Sequence, residues 1–238
     1  MKVGTDGVLL GAWAMLEEQG AAQTRKAIGE VLDIGTGSGL VALMLAQRFP
    51  QAEIDAIDIE PSAVEQARYN FLQSPWKERI HSFLSSLQEW QTKKRYDLIV
   101  SNPPYFQNSL KNPDKGRELA RHTDSLTYAE LLHYSTQLLA PKGVIALILP
   151  AESEDDIIRL GISENLFCTR LTRVYSKAGK PAKRILIEFS AAKPAPSPAG
   201  ILSSGISSFP IVPTDFYIES PTSPRSPEYT ALTSAFYL

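Results

Sequence analysis

The 238 residues suit one large domain, or a core of about 150–200 residues with an appendage, and 43% hydrophobic content excludes a disordered chain. With 24 Lys+Arg against 26 Asp+Glu the formal charge is −2, so no global basic field draws the chain to nucleic acid. The single cysteine, Cys168, excludes an intrachain disulfide and a multi-thiolate metal site, and the apolar runs at 8–16 and 144–149 are too short to cross a bilayer. No signal-peptide pattern opens the chain. A cytoplasmic monomer with no membrane or metal partner is expected.

In chain order, 30–34 (EVLDI) is a β-branched run that stops at glycines, and 40–48 (LVALMLAQR) reads as a buried helix ending before Pro50. Residues 53–58 (EIDAID) alternate with period two. Pro61 then suits the first turn of a helix on which Val64, Ala67 and Phe71 form one stripe. Residues 96–100 (YDLIV) form a strand that stops at Asn102-Pro103-Pro104. Leu131, Leu132, Leu138 and Leu139 make an amphipathic helical pattern ending near Pro141, and 144–149 (VIALIL) is a strand buried on both faces. This alternation predicts a doubly wound, mostly parallel α/β sheet. Strands at 171–175 and 185–189, linked through 177–183, suit an antiparallel hairpin at one end of it. Eight of the 17 prolines lie between Ala191 and Pro227. The expected organisation is therefore a domain over 1–190, an extended or flexible segment over 191–227 with order at 215–219, and a terminal segment, 228–238, packing back.

Between the first strand and its helix lies Asp33-Ile34-Gly35-Thr36-Gly37-Ser38-Gly39. Glycines let the backbone turn sharply and approach a ligand, and a helix N-terminus offers free N–H groups. The spacing is G-x-G-x-G, one residue short of the dinucleotide fingerprint, and no P-loop motif is present. Asp33 repels phosphate and welcomes an ammonium. Asp58 closes the next strand, where a carboxylate can accept both hydroxyls of a ribose, with Glu60 as the substitute. The set suits an adenosine with an amino-acid tail and no pyrophosphate, the shape of S-adenosylmethionine.

In Ser101-Asn102-Pro103-Pro104-Tyr105-Phe106 the prolines fix φ and remove two N–H donors. The side-chain carbonyl of Asn102 and the carbonyl of Pro103 form a rigid acceptor pair for the two hydrogens of an amine. Such a pair directs the nitrogen lone pair at a methyl donor and stabilises the charge that develops on nitrogen. Tyr105 and Phe106 offer faces for a flipped base.

These motifs resemble the class I S-adenosylmethionine-dependent methyltransferases that modify amino nitrogens, which implies a Rossmann-like seven-stranded sheet, mostly parallel. The blocks at 1–14 (MKVGTDGVLLGAWA), 32–39, 101–106, 120–132, 180–189 and 228–238 are similar to the bacterial tRNA(Val) adenine-N6 methyltransferases. The resemblance implies methyl transfer to adenine N6 in tRNA, at adenine 37 beside the anticodon. It also implies that Thr5, Asp6 and Gly7 line the methionine end of the cofactor. Asp33, Gly35, Thr36, Gly37 and Gly39 would cradle it, and Asp58 and Ile59 would hold its ribose and adenine. Asn102, Pro103, Pro104 and Tyr105 would position the target base. Two departures stand out. Family members usually carry more residues before the opening block, and many place an acid after the third strand where this chain has Leu84-Ser85-Ser86-Leu87. A hydroxyl, Ser86, is the expected substitute.

From Arg170 to Arg184 the chain carries six basic residues (Arg170, Arg173, Lys177, Lys180, Lys183, Arg184) and no acidic one. Such a patch can neutralise phosphates despite an acidic total. Lys177, Lys180, Lys183 and Arg184 are the expected RNA contacts together with Arg121, and Phe106 is expected on the base. A second run, Lys111, Lys115, Arg117, Arg121 and His122, is diluted by Asp114 and Glu118. Residues 93–95 read as solvated surface at the far end of the sheet, Cys168 as a core residue, and Trp13, Trp76 and Trp90 as packing anchors. His122 is read as structural or an RNA contact, since the amine proton can leave to water. Two rival enzymes present themselves: a glutamine N-methyltransferase of release factors, which usually carries a helical domain where this chain has only the residues before Glu30, and a DNA adenine methylase, which needs a target-recognition domain. A non-catalytic RNA-binding scaffold is the rival from another class.

Overall fold

A computed structural model of the protein describes residues 4–15, 28–104, 126–192 and 212–236. The chain runs α1 (Thr5–Trp13), β1 (Glu30–Ile34), α2 (Leu40–Arg48), β2 (Glu53–Asp58), α3 (Pro61–Leu72), β3 (Ile80–Leu84) and β4 (Tyr96–Ser101). It continues with α4 (Tyr128–Leu138), β5 (Leu139–Pro150), α5 (Glu154–Ser163), β6 (Phe167–Tyr175), β7 (Ala182–Ser190), β8 (Thr214–Tyr217) and α6 (Pro227–Thr233).

The strands form one sheet in the order β3-β2-β1-β4-β5-β7-β6-β8. The first five are parallel, β7 is antiparallel to both β5 and β6, and β8 runs parallel to β6. The strand order reverses between β1 and β4, which opens a crevice at the carboxyl ends of those two strands. One face of the sheet packs Leu9, Trp13, Leu45 and Phe71 from α1, α2 and α3; the other packs Leu131, Leu138 and Ile157 from α4 and α5.

Eight strands stand where seven were expected. The additional strand, β8, comes from the Pro/Ser-rich stretch and forms the outer edge, so the β6–β7 hairpin is not the last element of the sheet. Leu139, expected to close the helix α4, opens β5 instead. Pro141 disfavours helical backbone at the residue before it, which explains the early exit. The Thr127–Glu130 capping box fixes the other end of α4.

Helix α1 carries no periodic signal because Gly7 to Trp13 are all buried. Its C-terminal carbonyls are satisfied from outside the helix. Arg48 Nη1 donates to Gly11 O at 2.8 Å and Ala14 O at 2.6 Å, and Arg170 Nη1 donates to Trp13 O at 3.1 Å. The Arg170 guanidinium also lies 4.0 Å from the centre of the Trp13 ring, and Glu188 accepts from Met15 N at 2.6 Å. Burial holds the Arg48 guanidinium down at about 10.

Candidate active site at the β1–β4 switch

The loop leaving β1 is pinned before any ligand arrives. Gly35 N and Thr36 N both donate to Ile57 O, at 2.9 and 3.1 Å, and Gly39 N closes the turn onto Thr36 O at 2.9 Å. Gly35, Gly37 and Gly39 all have positive φ. The outer two serve different ends. A Cβ on Gly39 would meet the Phe71 ring at 2.3 Å, so this glycine lets α3 pack; one on Gly35 would meet nothing within 4 Å. The Gly35 side is therefore open for a ligand to approach the backbone.

Two carboxylates flank the loop. Asp33 is buried and accepts from the Thr36 hydroxyl at 2.7 Å. Burial first, with a smaller push from the Asp58 charge, raises its pKa to about 6 against the lowering by Thr36 and the Ala42 amide. Asp58 caps β2 and accepts from Gly37 N at 2.8 Å and from Glu60 N at 3.0 Å, which ties the second strand to the loop. Beyond Asp58, Ile59 is 58% exposed, and Leu84 at the parallel end of β3 is 59% exposed. These bare apolar side chains at the crevice suit the face of a purine.

Ser86 donates to Glu89 Oε2 at 3.0 Å and its hydroxyl accepts from Glu89 N at 3.3 Å. An acid is thus present after the third strand, three residues later than expected. Its distance from β3 along the chain hides it in the sequence; the turn over 87–89 brings Glu89 back to Ser86.

The Asn-Pro-Pro corner adjoins this loop. Ser101 pairs with Ile34 in the sheet, and its hydroxyl donates to Ile34 O at 2.8 Å. Asn102 therefore leaves β4 at the level where Gly35 leaves β1, one strand spacing of about 4.8 Å away. Asn102 is half-buried, Pro103 buried and Pro104 exposed. Tyr105, Phe106, Arg121 and the run from Lys111 to His122 lie outside the described residues.

The N-terminal turn of α1 reaches the same end of the sheet, with Gly7 against Leu40 at the start of α2; a Cβ there would lie 3.3 Å from it. Asp6 and Arg184, expected on cofactor and RNA respectively, pair with each other at 2.9 Å. Arg173 is held by Glu154 through Nε at 2.8 Å and Nη2 at 2.6 Å. The arginines of the basic run thus act as struts, while Lys177, Lys180 and Lys183 are exposed. At the far end of the sheet Lys94 is not merely solvated: it bridges Glu30 at 3.1 Å and Asp55 at 2.9 Å. Among the described residues no group of three or more His, Cys, Asp or Glu could hold a metal, and no helix is long and apolar enough to cross a membrane.

A glycine loop, two flanking acids and a proline-braced corner, all at one switch point, now stand together. Residues 14–154 match the family model described as "Methyltransferase small domain". The chain belongs to that family. A protein of Parabacteroides distasonis named tRNA1(Val) (adenine(37)-N6)-methyltransferase is 45% identical over 100% of this chain and 91% of its own length. A protein of the same name from Yersinia enterocolitica is 39% identical over 100% of this chain and 86% of its own. Among solved structures, a predicted O-methyltransferase of Agrobacterium tumefaciens superposes with TM-score 0.64 at 17% identity, covering 96% of this chain and 95% of that one. The glycopeptide N-methyltransferase MtfA, solved with S-adenosylmethionine, gives TM-score 0.52 at 14% identity over 71% of this chain and 90% of its own. These likenesses establish the class I methyltransferase fold.

Proposed function

We propose that this methyltransferase uses S-adenosylmethionine to methylate the exocyclic N6 of an adenine in tRNA, with adenine 37 of tRNA(Val) as the expected position. The carrying observation is the side-by-side exit of Gly35 and Asn102 from neighbouring strands, bonded together through Ser101 and Ile34. The names of the full-length relatives support the choice of substrate.

The residues present fit this cofactor. Gly35 leaves room for a ligand at the loop backbone, and Asp33 is a buried carboxylate able to receive an ammonium. Asp58 sits where ribose hydroxyls are held at the end of a second strand. Ile59 and Leu84 offer apolar surface to a purine, and Ser86 with Glu89 can receive its amino group. Thr5, Asp6 and Gly7, at the first turn of α1, would line the methionine end. When bound, the cofactor supplies an electrophilic methyl group on a sulfonium.

Asn102 and Pro103 accept the two hydrogens of the adenine amine. This would aim the nitrogen lone pair at the methyl donor and stabilise the positive charge that develops on nitrogen during transfer. Pro103 and Pro104 hold the acceptors rigid, so little reorganisation accompanies the step. The proton leaves to water and needs no basic side chain. Tyr105 and Phe106 would stack the base, while Arg121, Lys177, Lys180 and Lys183 would take phosphates. Every group named comes from one chain, so a monomer suffices, and a tRNA substrate implies a cytoplasmic site of action.

Incubation with S-adenosylmethionine and unmodified tRNA, followed by nucleoside mass spectrometry, tests this reading. N6-methyladenine in tRNA is expected. Methyl found on a release-factor glutamine, with none on tRNA, would overturn it.

A further inference from the structure

Strand register lifts one part of the sheet above the crevice. Ser101, the last residue of β4, is level with Leu147, and Leu147 is level with Ile187. β7 begins five residues before that, at Ala182, which faces Tyr175; Tyr175 in turn faces Tyr217 on β8. At about 3.3 Å per residue, the ends of β6, β7 and β8 project roughly 16 Å past Ser101 and so about 13 Å past the Asn102 corner.

This projecting edge is built firmly. Ile218 N donates to Tyr175 O at 3.0 Å and Glu219 N to Ser176 O at 2.9 Å, joining the β6–β7 turn to the chain that follows β8. The rings of Tyr175 and Tyr217 stack at 5.0 Å with 22° between their planes, and both are half-buried. Beside the turn lies a groove of about 600 Å³ lined by Lys177, Ala178, Glu219, Pro221, Ser223 and Pro224.

Charge is sorted across this edge. Arg170, Arg173 and Arg184 point their guanidinium groups at Glu188, Glu154 and Asp6. Lys177, Lys180 and Lys183 are exposed and have no carboxylate within ion-pair distance among the described residues. Unpaired ammonium groups next to stacked aromatic rings form the combination that binds single-stranded nucleic acid: phosphates neutralised on one side, a base stacked on the other. Asp215, which accepts from the Tyr175 hydroxyl, and Glu219 repel phosphate from their side of this edge and leave the lysine side as the backbone track.

We propose that the Tyr175–Tyr217 pair is a base-stacking platform for an unpaired nucleotide of the RNA loop outside the catalytic crevice, with Lys177, Lys180 and Lys183 holding the adjoining phosphates. This rests on the tRNA reading above. The platform grips the loop away from the target base and holds the substrate while that base enters the crevice.

The test compares Tyr217→Leu, Tyr217→Phe and a Lys177→Glu/Lys180→Glu double variant with the unaltered chain. tRNA affinity is measured across a salt series, with S-adenosylmethionine affinity as the check on folding. Tyr217→Leu is expected to weaken tRNA binding about tenfold, while Tyr217→Phe, which keeps the ring, restores it. The lysine variant is expected to flatten the plot of log affinity against log salt by about two. If Tyr217→Leu fails to fold, quenching of 2-aminopurine in the tRNA loop by the unaltered chain replaces it. tRNA binding unchanged in every variant, an equal loss in the Leu and Phe variants, or unquenched 2-aminopurine would overturn the platform and leave this edge to a protein partner. An unaltered chain that neither binds nor methylates tRNA would instead overturn the reading on which the platform rests.

Discussion

Asp33 and Asp55 are both buried carboxylates on adjacent strands, one residue apart in register, yet a ring of partners closes around Asp55 and not around Asp33. Asp55 receives the Tyr96 hydroxyl at 2.8 Å and the Lys94 ammonium at 2.9 Å, while Trp90 Nε1 donates to Tyr96 Oη at 3.1 Å. Burial first, and then Asp55, push the Tyr96 phenol far above its ordinary range. Asp33 has the Thr36 hydroxyl and the Ala42 amide but, among the described residues, no cation, and its pKa rises to about 6. A carboxylate satisfied from within stabilises a fold; one left short of a cation has binding capacity to spare. The sheet uses the first to fasten Tyr96 and Lys94 and the second beside the crevice loop.

The largest stability effect is expected from Asp55→Ala, which strips an acceptor from a buried hydroxyl and one carboxylate from Lys94. A loss of about 3–4 kcal/mol in denaturant unfolding is expected, with S-adenosylmethionine affinity unchanged per folded molecule. A loss under 1 kcal/mol would erase the contrast.

Next comes Asp33, whose folded pKa lies above the unfolded value of 3.8. The folded state binds that proton more tightly, so the contribution of Asp33 to stability is fully present below pH 4. It is lost as pH rises towards 6 and stays flat above. The size is roughly 3 kcal/mol, and Asp33→Asn should remove that slope from the unfolding free energy between pH 4 and 6. The same variant should weaken cofactor binding at pH 8 tenfold or more; unchanged affinity would show that Asp33 serves the fold alone.

The two glycines sharpen the contrast further. Gly39→Ala should cost about 2–3 kcal/mol through the Phe71 clash and its positive φ, whereas Gly35→Ala should cost only about 1 kcal/mol. The ranking for cofactor affinity should be the reverse of this stability ranking, with Gly35→Ala the more damaging by calorimetry. Equal effects on both quantities would mean that the loop has no ligand side.

Much of this architecture was legible because local signals agreed. β1, α2 and β2 lie where apolar runs met glycine, proline or an alternating pattern, and the Asn102 corner announced itself through its prolines. Other parts were not legible, for physical reasons. α1 is buried all round and shows no periodicity, and β8 is four residues set among prolines and serines whose pairing with β6 is purely tertiary. The Asp6–Arg184 pair joins residues 178 positions apart, so a basic run could not be sorted into struts and free lysines from spacing. Glu89 depends on a tight turn that returns it to Ser86.

The most direct test of the shared site is Asn102→Ala, assayed by single-turnover methyl transfer to tRNA alongside calorimetry with S-adenosylmethionine. Transfer should fall by about 10²-fold or more while cofactor affinity changes less than about threefold. Transfer within a few-fold of the unaltered chain, or an equal loss of transfer and cofactor affinity, would contradict an amine-clasping corner beside the glycine loop.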